Sequence, residues 1–91
     1  MIGIAGNESA QDCLVKATIK EDGGIKIELK SKLEKLFGKQ MRLAAETAAL
    51  ELGQENVVLE IQEFGCLDFV IKARVKTAIK RAKGGAKHEQ A

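Results

Sequence analysis

The sequence predicts an α+β fold of two layers, a three-stranded sheet with two helices on one face, in the order ββαβα. Three features predict it. Two β-branched, alternating runs flank Glu21-Asp22-Gly23-Gly24. Two longer runs place apolar residues at three- and four-residue spacing. A short apolar alternating run lies between those longer ones.

Residues 1–11 read as a mobile arm and loop, because Gly3, Gly6, Asn7 and Ser9 bring turn chemistry and little core-forming bulk. Residues 12–20 form the first predicted strand, with Val15, Ala17 and Ile19 on its apolar face. Asp22-Gly23-Gly24 tolerates positive φ, and Ile25-Lys26-Ile27-Glu28-Leu29-Lys30 alternates throughout, so the two runs are expected to pair as a β-hairpin. Ser31-Lys32-Leu33-Glu34 has the form of a capping box opening a helix. Leu33, Leu36, Phe37, Met41, Ala44, Ala45, Ala48 and Leu52 give that helix its apolar stripe, Gly38 is a point where it could kink, and Gly53 closes it. Asn56–Gln62 is the third predicted strand, with Val57, Leu59 and Ile61 facing the core, and Glu63-Phe64-Gly65 turns the chain. A second helix runs from Leu67 to about Lys83, with Asp68 at its start and Lys or Arg at its end, as the helix dipole favours. The tail 84–91 is expected to be disordered.

Length and composition narrow the function. Ninety-one residues make a single domain, burying about 60–65% of the surface its unfolded chain exposes. That is too little chain for the cleft, lid and second domain of a typical enzyme. The net charge is +2, yet seven Lys or Arg and no acid lie between Lys72 and Lys87. Such a basic helix could meet a phosphate-rich partner, although the lack of Trp and Tyr supplies little stacking for nucleic-acid bases. Cys13 and Cys66 form no CxxC and the only His is His88, so neither a disulfide scaffold nor a metal set is expected. The N-terminus lacks a signal-peptide pattern and no apolar run has the length of a membrane span, which points to a soluble, cytoplasmic protein.

No catalytic constellation emerges. Ser9 has no base partner visible in sequence, no phosphate-binding glycine motif is present, and both cysteines read as small core residues. What remains is a binding or carrier module: a small scaffold with one modifiable side chain on an accessible loop.

Four stretches give the chain a family likeness. Ala5-Gly6-Asn7-Glu8-Ser9-Ala10-Gln11-Asp12 resembles the Ala-Gly-Thr-Leu-Glu-Ser-Ser-Asp loop of the citrate lyase acyl carrier (gamma chain) family. Glu34-Lys35-Leu36-Phe37-Gly38-Lys39 resembles its Glu-Lys-x-Phe-Gly segment. Gly65-Cys66-Leu67-Asp68 resembles its Gly-Ala-Leu-Asp turn, and Phe69-Val70-Ile71-Lys72-Ala73-Arg74-Val75 its Cys-Val-Ile-Arg-Ala-Arg-Val run. Order and separation also agree, so the likeness spans roughly residues 4–82.

The resemblance implies a non-catalytic carrier subunit whose serine bears a phosphodiester-linked phosphoribosyl-dephospho-coenzyme A group, 2'-(5''-phosphoribosyl)-3'-dephospho-CoA. In that family the terminal thiol holds an acetyl group. An alpha subunit (acyl transferase) exchanges acetyl for citrate, a beta subunit (acyl lyase) cleaves the citryl thioester, and a dedicated transferase attaches the prosthetic group. Related carriers serve citramalate lyase and malonate decarboxylase. The family's modified serine follows Glu, which selects Ser9. An ungapped count from Ala5-Gly6 instead reaches Ala10, so the loop has one residue fewer before the serine and one more after it. Ser31, the other serine, is read as the helix cap. The alternative functions are a carrier for citramalate lyase or malonate decarboxylase, or a small nucleic-acid-binding module using the basic C-terminal helix.

Overall fold

The computed structural model describes residues 1–84. Apart from Gly84, the predicted tail lies outside the described residues, as does His88. The elements are β1 (Ile2–Gly6), β2 (Cys13–Ile19), β3 (Ile25–Lys30), α1 (Glu34–Glu51), β4 (Val57–Glu63) and α2 (Asp68–Ala82). They form one four-stranded sheet in the order β1-β2-β4-β3. The α+β class and the two helices agree with expectation, and two features of the sheet differ from it.

The first difference is an added strand. Ile2–Gly6 is not a mobile arm but pairs antiparallel with β2, from Ile2 opposite Thr18 to Gly6 opposite Leu14. Its signal is inverted. The bulky Ile2 and Ile4 stay exposed while Gly3 and Ala5 are buried. A Cβ on Gly3 would collide with the backbone of Ala78 and Ala82, so the glycine lets α2 lie directly on the strand.

The second difference is pairing. β2 and β3 do not form a hairpin, because β4 lies between them, antiparallel to β2 and parallel to β3. The 18-residue α1 supplies the crossover that a parallel β3–β4 pair requires. Val57, Leu59 and Ile61 of β4 are almost fully buried, which suits an interior strand, whereas Ile25 and Ile27 of β3 are half-buried at the edge. Asn56 fastens the turn between β2 and β3. Its side-chain oxygen accepts from Gly24 N at 2.9 Å and its backbone carbonyl from Lys20 N at 3.1 Å.

The register places Ala5, Val15, Ile61 and Leu29 in one row and Ala17, Leu59 and Ile27 in the next, all on one face. Both helices cover that face. α1 contributes Met41, Ala44, Ala45, Ala48 and Ala49 to the core, and α2 contributes Ile71, Val75, Ala78 and Ile79. α1 runs unbroken through Gly38, which is buried against the Cγ of Glu34 and Leu29. Its predicted first-turn apolar residues do not join the core: Leu36 and Phe37 are exposed, as is Leu67 before α2.

Candidate functional site

The site lies at one end of the sheet. Gly6, Leu14, Gln62 and Lys30 form the last complete row of the register. Beyond it lie the β1–β2 loop, the end of β4 and the segment leading into α1. Both helices also begin at this end, since α1 follows β3 and α2 follows β4 closely.

Ser9 sits in the exposed loop 7–12, with Asn7, Glu8, Ala10 and Gln11 exposed around it. The loop is held at its base rather than free. Asn7 N donates to Cys13 O at 3.1 Å, Asp12 N to Ser9 O at 3.1 Å, and Gln11 N to Phe64 O at 2.8 Å. Gly6 takes φ +95°, and a side chain there would strike the Cys13 carbonyl. Gln11 also adopts positive φ, +66°, the only described non-glycine residue to do so.

Asp12 carries the strongest tie. Arg74 Nε and Nη2 of α2 each donate to it at 3.0 Å in a two-point pair, while Asn7 Nδ2 at 3.2 Å and Cys13 N at 2.7 Å donate as well. The Arg74 guanidinium, followed by the Cys13 amide, holds the Asp12 carboxyl down at about 2. Its side chain is only 14% exposed. The pair was not legible in the sequence: Arg74 was one of several cations on the basic helix, and only the docking of α2 onto β1 and β2 aims it at the loop. Arg81 braces the same strand from further along, donating to Ile4 O at 2.8 Å.

Lys72 and Lys76 pair with Glu51 of α1 at 3.5 and 2.7 Å. Four cations of the predicted basic face, Lys72, Arg74, Lys76 and Arg81, therefore have acceptors within the chain. This weakens the nucleic-acid reading.

An open groove of about 690 Å³ adjoins the loop, bounded by Ser9, Lys30, Lys32, Leu33, Glu63 and Phe64. Glu63 is buried and fully engaged. Gly65 N and Cys66 N donate to its Oε2 at 2.7 and 2.6 Å, and Ser31 Oγ donates to Oε1 at 2.7 Å. Ser31 thus frames the groove and accepts from Leu33 N at 3.0 Å, but the predicted capping box does not form. Leu33 is the N-cap of α1 without a side-chain cap bond, and Glu34 pairs with Arg42 instead. A second groove, lined by Phe37, Met41 and Phe69, meets the first at Leu33 and Gly65.

Cys13 is buried and Cys66 half-buried, and burial pushes both thiols up. Among the described residues no group of three His, Cys, Asp or Glu is placed to hold a metal ion. None of their helices is long and apolar enough to cross a membrane.

Comparison with known proteins follows the same line. The chain is 42% identical over 83 residues to a citrate lyase acyl carrier protein of Halothermothrix orenii, covering 90% of this chain and 86% of that one. The chain belongs to the citrate lyase acyl carrier protein family. Other members give 37% identity in Clostridium perfringens, over 87% of this chain and 78% of that one, and 31% in Fusobacterium nucleatum, over 89% and 86%. A family model described as malonate decarboxylase delta subunit (MdcD) matches residues 2–82, from the first residue of β1 to the last of α2. Three stretches carrying the family likeness converge on the two grooves: the Ser9 loop, the start of α1 through Phe37, and the Gly65–Asp68 turn.

Proposed function

We propose that this chain is the acyl carrier subunit of a citrate lyase-type complex and that Ser9 is the point to which phosphoribosyl-dephospho-coenzyme A is attached. The observation that carries the reading is the position of Ser9: an exposed hydroxyl in a loop pinned on both sides, opening on a groove with two lysines. The groove residues fit the group. Lys30 and Lys32 suit its phosphates, and Leu33 and Phe64 offer apolar surface to its stem. When bound, the group supplies a terminal thiol that carries the acyl unit as a thioester.

The chain's own residues present that group and perform no chemistry on it. Ser9 Oγ becomes the ester oxygen by attacking an activated, phosphoanhydride form of the group. The Oγ–P bond forms as the anhydride P–O bond breaks, the phosphate or pyrophosphate leaving group departs, and the serine proton goes to a base on the modifying transferase. Asp12 cannot serve, because Arg74, Asn7 and the Cys13 amide occupy its oxygens. The Asp12–Arg74 pair instead keeps the loop in one place, so that a transferase and the alpha and beta lyase subunits meet the same presented residue. The match to the malonate decarboxylase delta subunit supports a second reading, in which the partners are those of a malonate decarboxylase. Purified alpha and beta subunits of each complex, mixed with the loaded carrier, distinguish the two.

The test of the attachment point is incorporation of labelled prosthetic-group precursor by the transferase. Ser9→Ala is expected to take up no label, and Ser31→Ala to take it up like the unaltered chain. Undiminished label on Ser9→Ala contradicts the proposal.

A further inference from the structure

No described residue of the chain fills the groove beside Ser9. Leu33 and Phe64 each leave 39% of their surface exposed there, next to two lysines for which the described residues show no ion pair. At about 690 Å³ it falls within the roughly 300–1,000 Å³ typical of small-molecule sites. Building on the attachment at Ser9, we infer that this groove is a resting site for the carrier's own arm, a binding site for a phosphate-bearing, pantetheine-type chain joined to the loop above it.

Three observations single out this occupant. Ser9 is itself part of the groove wall, so a chain leaving its hydroxyl starts inside the site. Lys30 and Lys32 complement the phosphates. Neither lysine is ion-paired with an acid of the groove among the described residues: Glu63 keeps its charge but gives its oxygens to three neutral donors, Gly65 N, Cys66 N and Ser31 Oγ, and Glu8 is a second carboxylate on the rim. Finally, the wall is ordered before the arm arrives. Gln11 and Asp12 are bonded to Phe64 through both backbone directions, at 2.8 and 3.0 Å, so loop and groove form one unit and little ordering cost falls on binding.

The tether also sets the strength required. A short flexible link holds its end at an effective concentration in the millimolar range. A site of only millimolar affinity is therefore substantially occupied, yet it releases the arm to a partner subunit that binds it better. The resting site keeps the thiol end near the carrier between transfers without trapping it.

The experiment compares amide NMR spectra of the apo chain with those of the chain loaded by co-production with its transferase, after intact mass has verified the adduct. The groove reading predicts a shift at Leu33, which makes no backbone bond to loop 7–12, in addition to those in the loop and at Phe64 and its neighbour Gly65, which the loop contacts directly. It also predicts that Lys30→Glu/Lys32→Glu, whose apo spectrum serves as the folding control, reduces the Leu33 shift to less than about half, as does high salt. Shifts confined to loop 7–12, Phe64 and Gly65 in a chain of verified mass overturn the resting site and leave the attachment standing. An absent adduct overturns the attachment instead. Shifts in the groove that depend on protein concentration assign it to a second copy of the chain and also overturn the inference.

Discussion

At the scale of single residues, Asp12 holds the Ser9 loop in place. Its carboxylate ties the Ser9 loop to α2 through two bonds from Arg74. The folded-state value is depressed from 3.8 to about 2, so on acidification the unfolded chain takes up the proton first. The pair's contribution is therefore complete above about pH 4 and is lost as pH falls from there through about 2. Urea melts at a series of acid pH values are expected to show this loss in the unaltered chain, and Asp12→Asn is expected to flatten it. Arg74→Ala removes the same tie, leaves a carboxylate with fewer partners, and is expected to lower the melting temperature and slow modification of Ser9. The cysteines make a separate prediction. Cys13 is buried and its thiol is pushed up by that burial, so it should resist alkylation at about pH 8 in the folded chain and react readily in denaturant. Fast reaction of Cys13 in the native state would show that the β2 core is looser than described.

At the scale of elements, the contact between β1 and α2 is the most demanding. Gly3 leaves no room for a methyl group between the strand and the backbone of Ala78 and Ala82. Gly3→Ala is expected to destabilise by about 1–3 kcal/mol, as overpacking does, measurable as a lower urea midpoint with an unchanged slope. The same contact explains why β1 was not legible in the sequence. Strand prediction looks for bulky residues on the buried side, but here close helix packing selects Gly3 and Ala5 and leaves Ile2 and Ile4 outside. The mispaired hairpin has a similar origin. Asp22-Gly23-Gly24 marks a turn correctly, but turn chemistry reports only a reversal of the chain, not which strand lies alongside. The decision is made at long range, by Asn56 bonding to Lys20 and Gly24 and by the strongly apolar face of β4. The helices, whose periodicity is local, were legible almost to the residue. At the site, exposure of Ser9 could be read from its polar loop, whereas the Asp12–Arg74 pair joins residues 62 positions apart and awaited the packing of α2.

At the scale of the whole molecule, the fold divides its labour between two ends and two faces. The helices cover one face of the sheet and bury the core, and the other face carries exposed pairs such as Lys16 with Glu60. Loop 7–12, the ends of β3 and β4 and the starts of both helices gather at one end, where the two grooves meet. The proposed site thereby lies at a place where altering exposed residues need not disturb the core, and Lys30→Glu/Lys32→Glu is expected to melt within about 0.5 kcal/mol of the unaltered chain. Membership of the citrate lyase acyl carrier protein family supports a carrier role, and the exposure of Ser9 at this end fits the attachment proposed above. The most direct test is the intact mass of the chain produced together with its prosthetic-group transferase, followed by fragmentation of the N-terminal peptide. The expected result is a mass increase equal to phosphoribosyl-dephospho-coenzyme A, located on Ser9. An unmodified peptide in the presence of active transferase, or an adduct on Ser31, would contradict it.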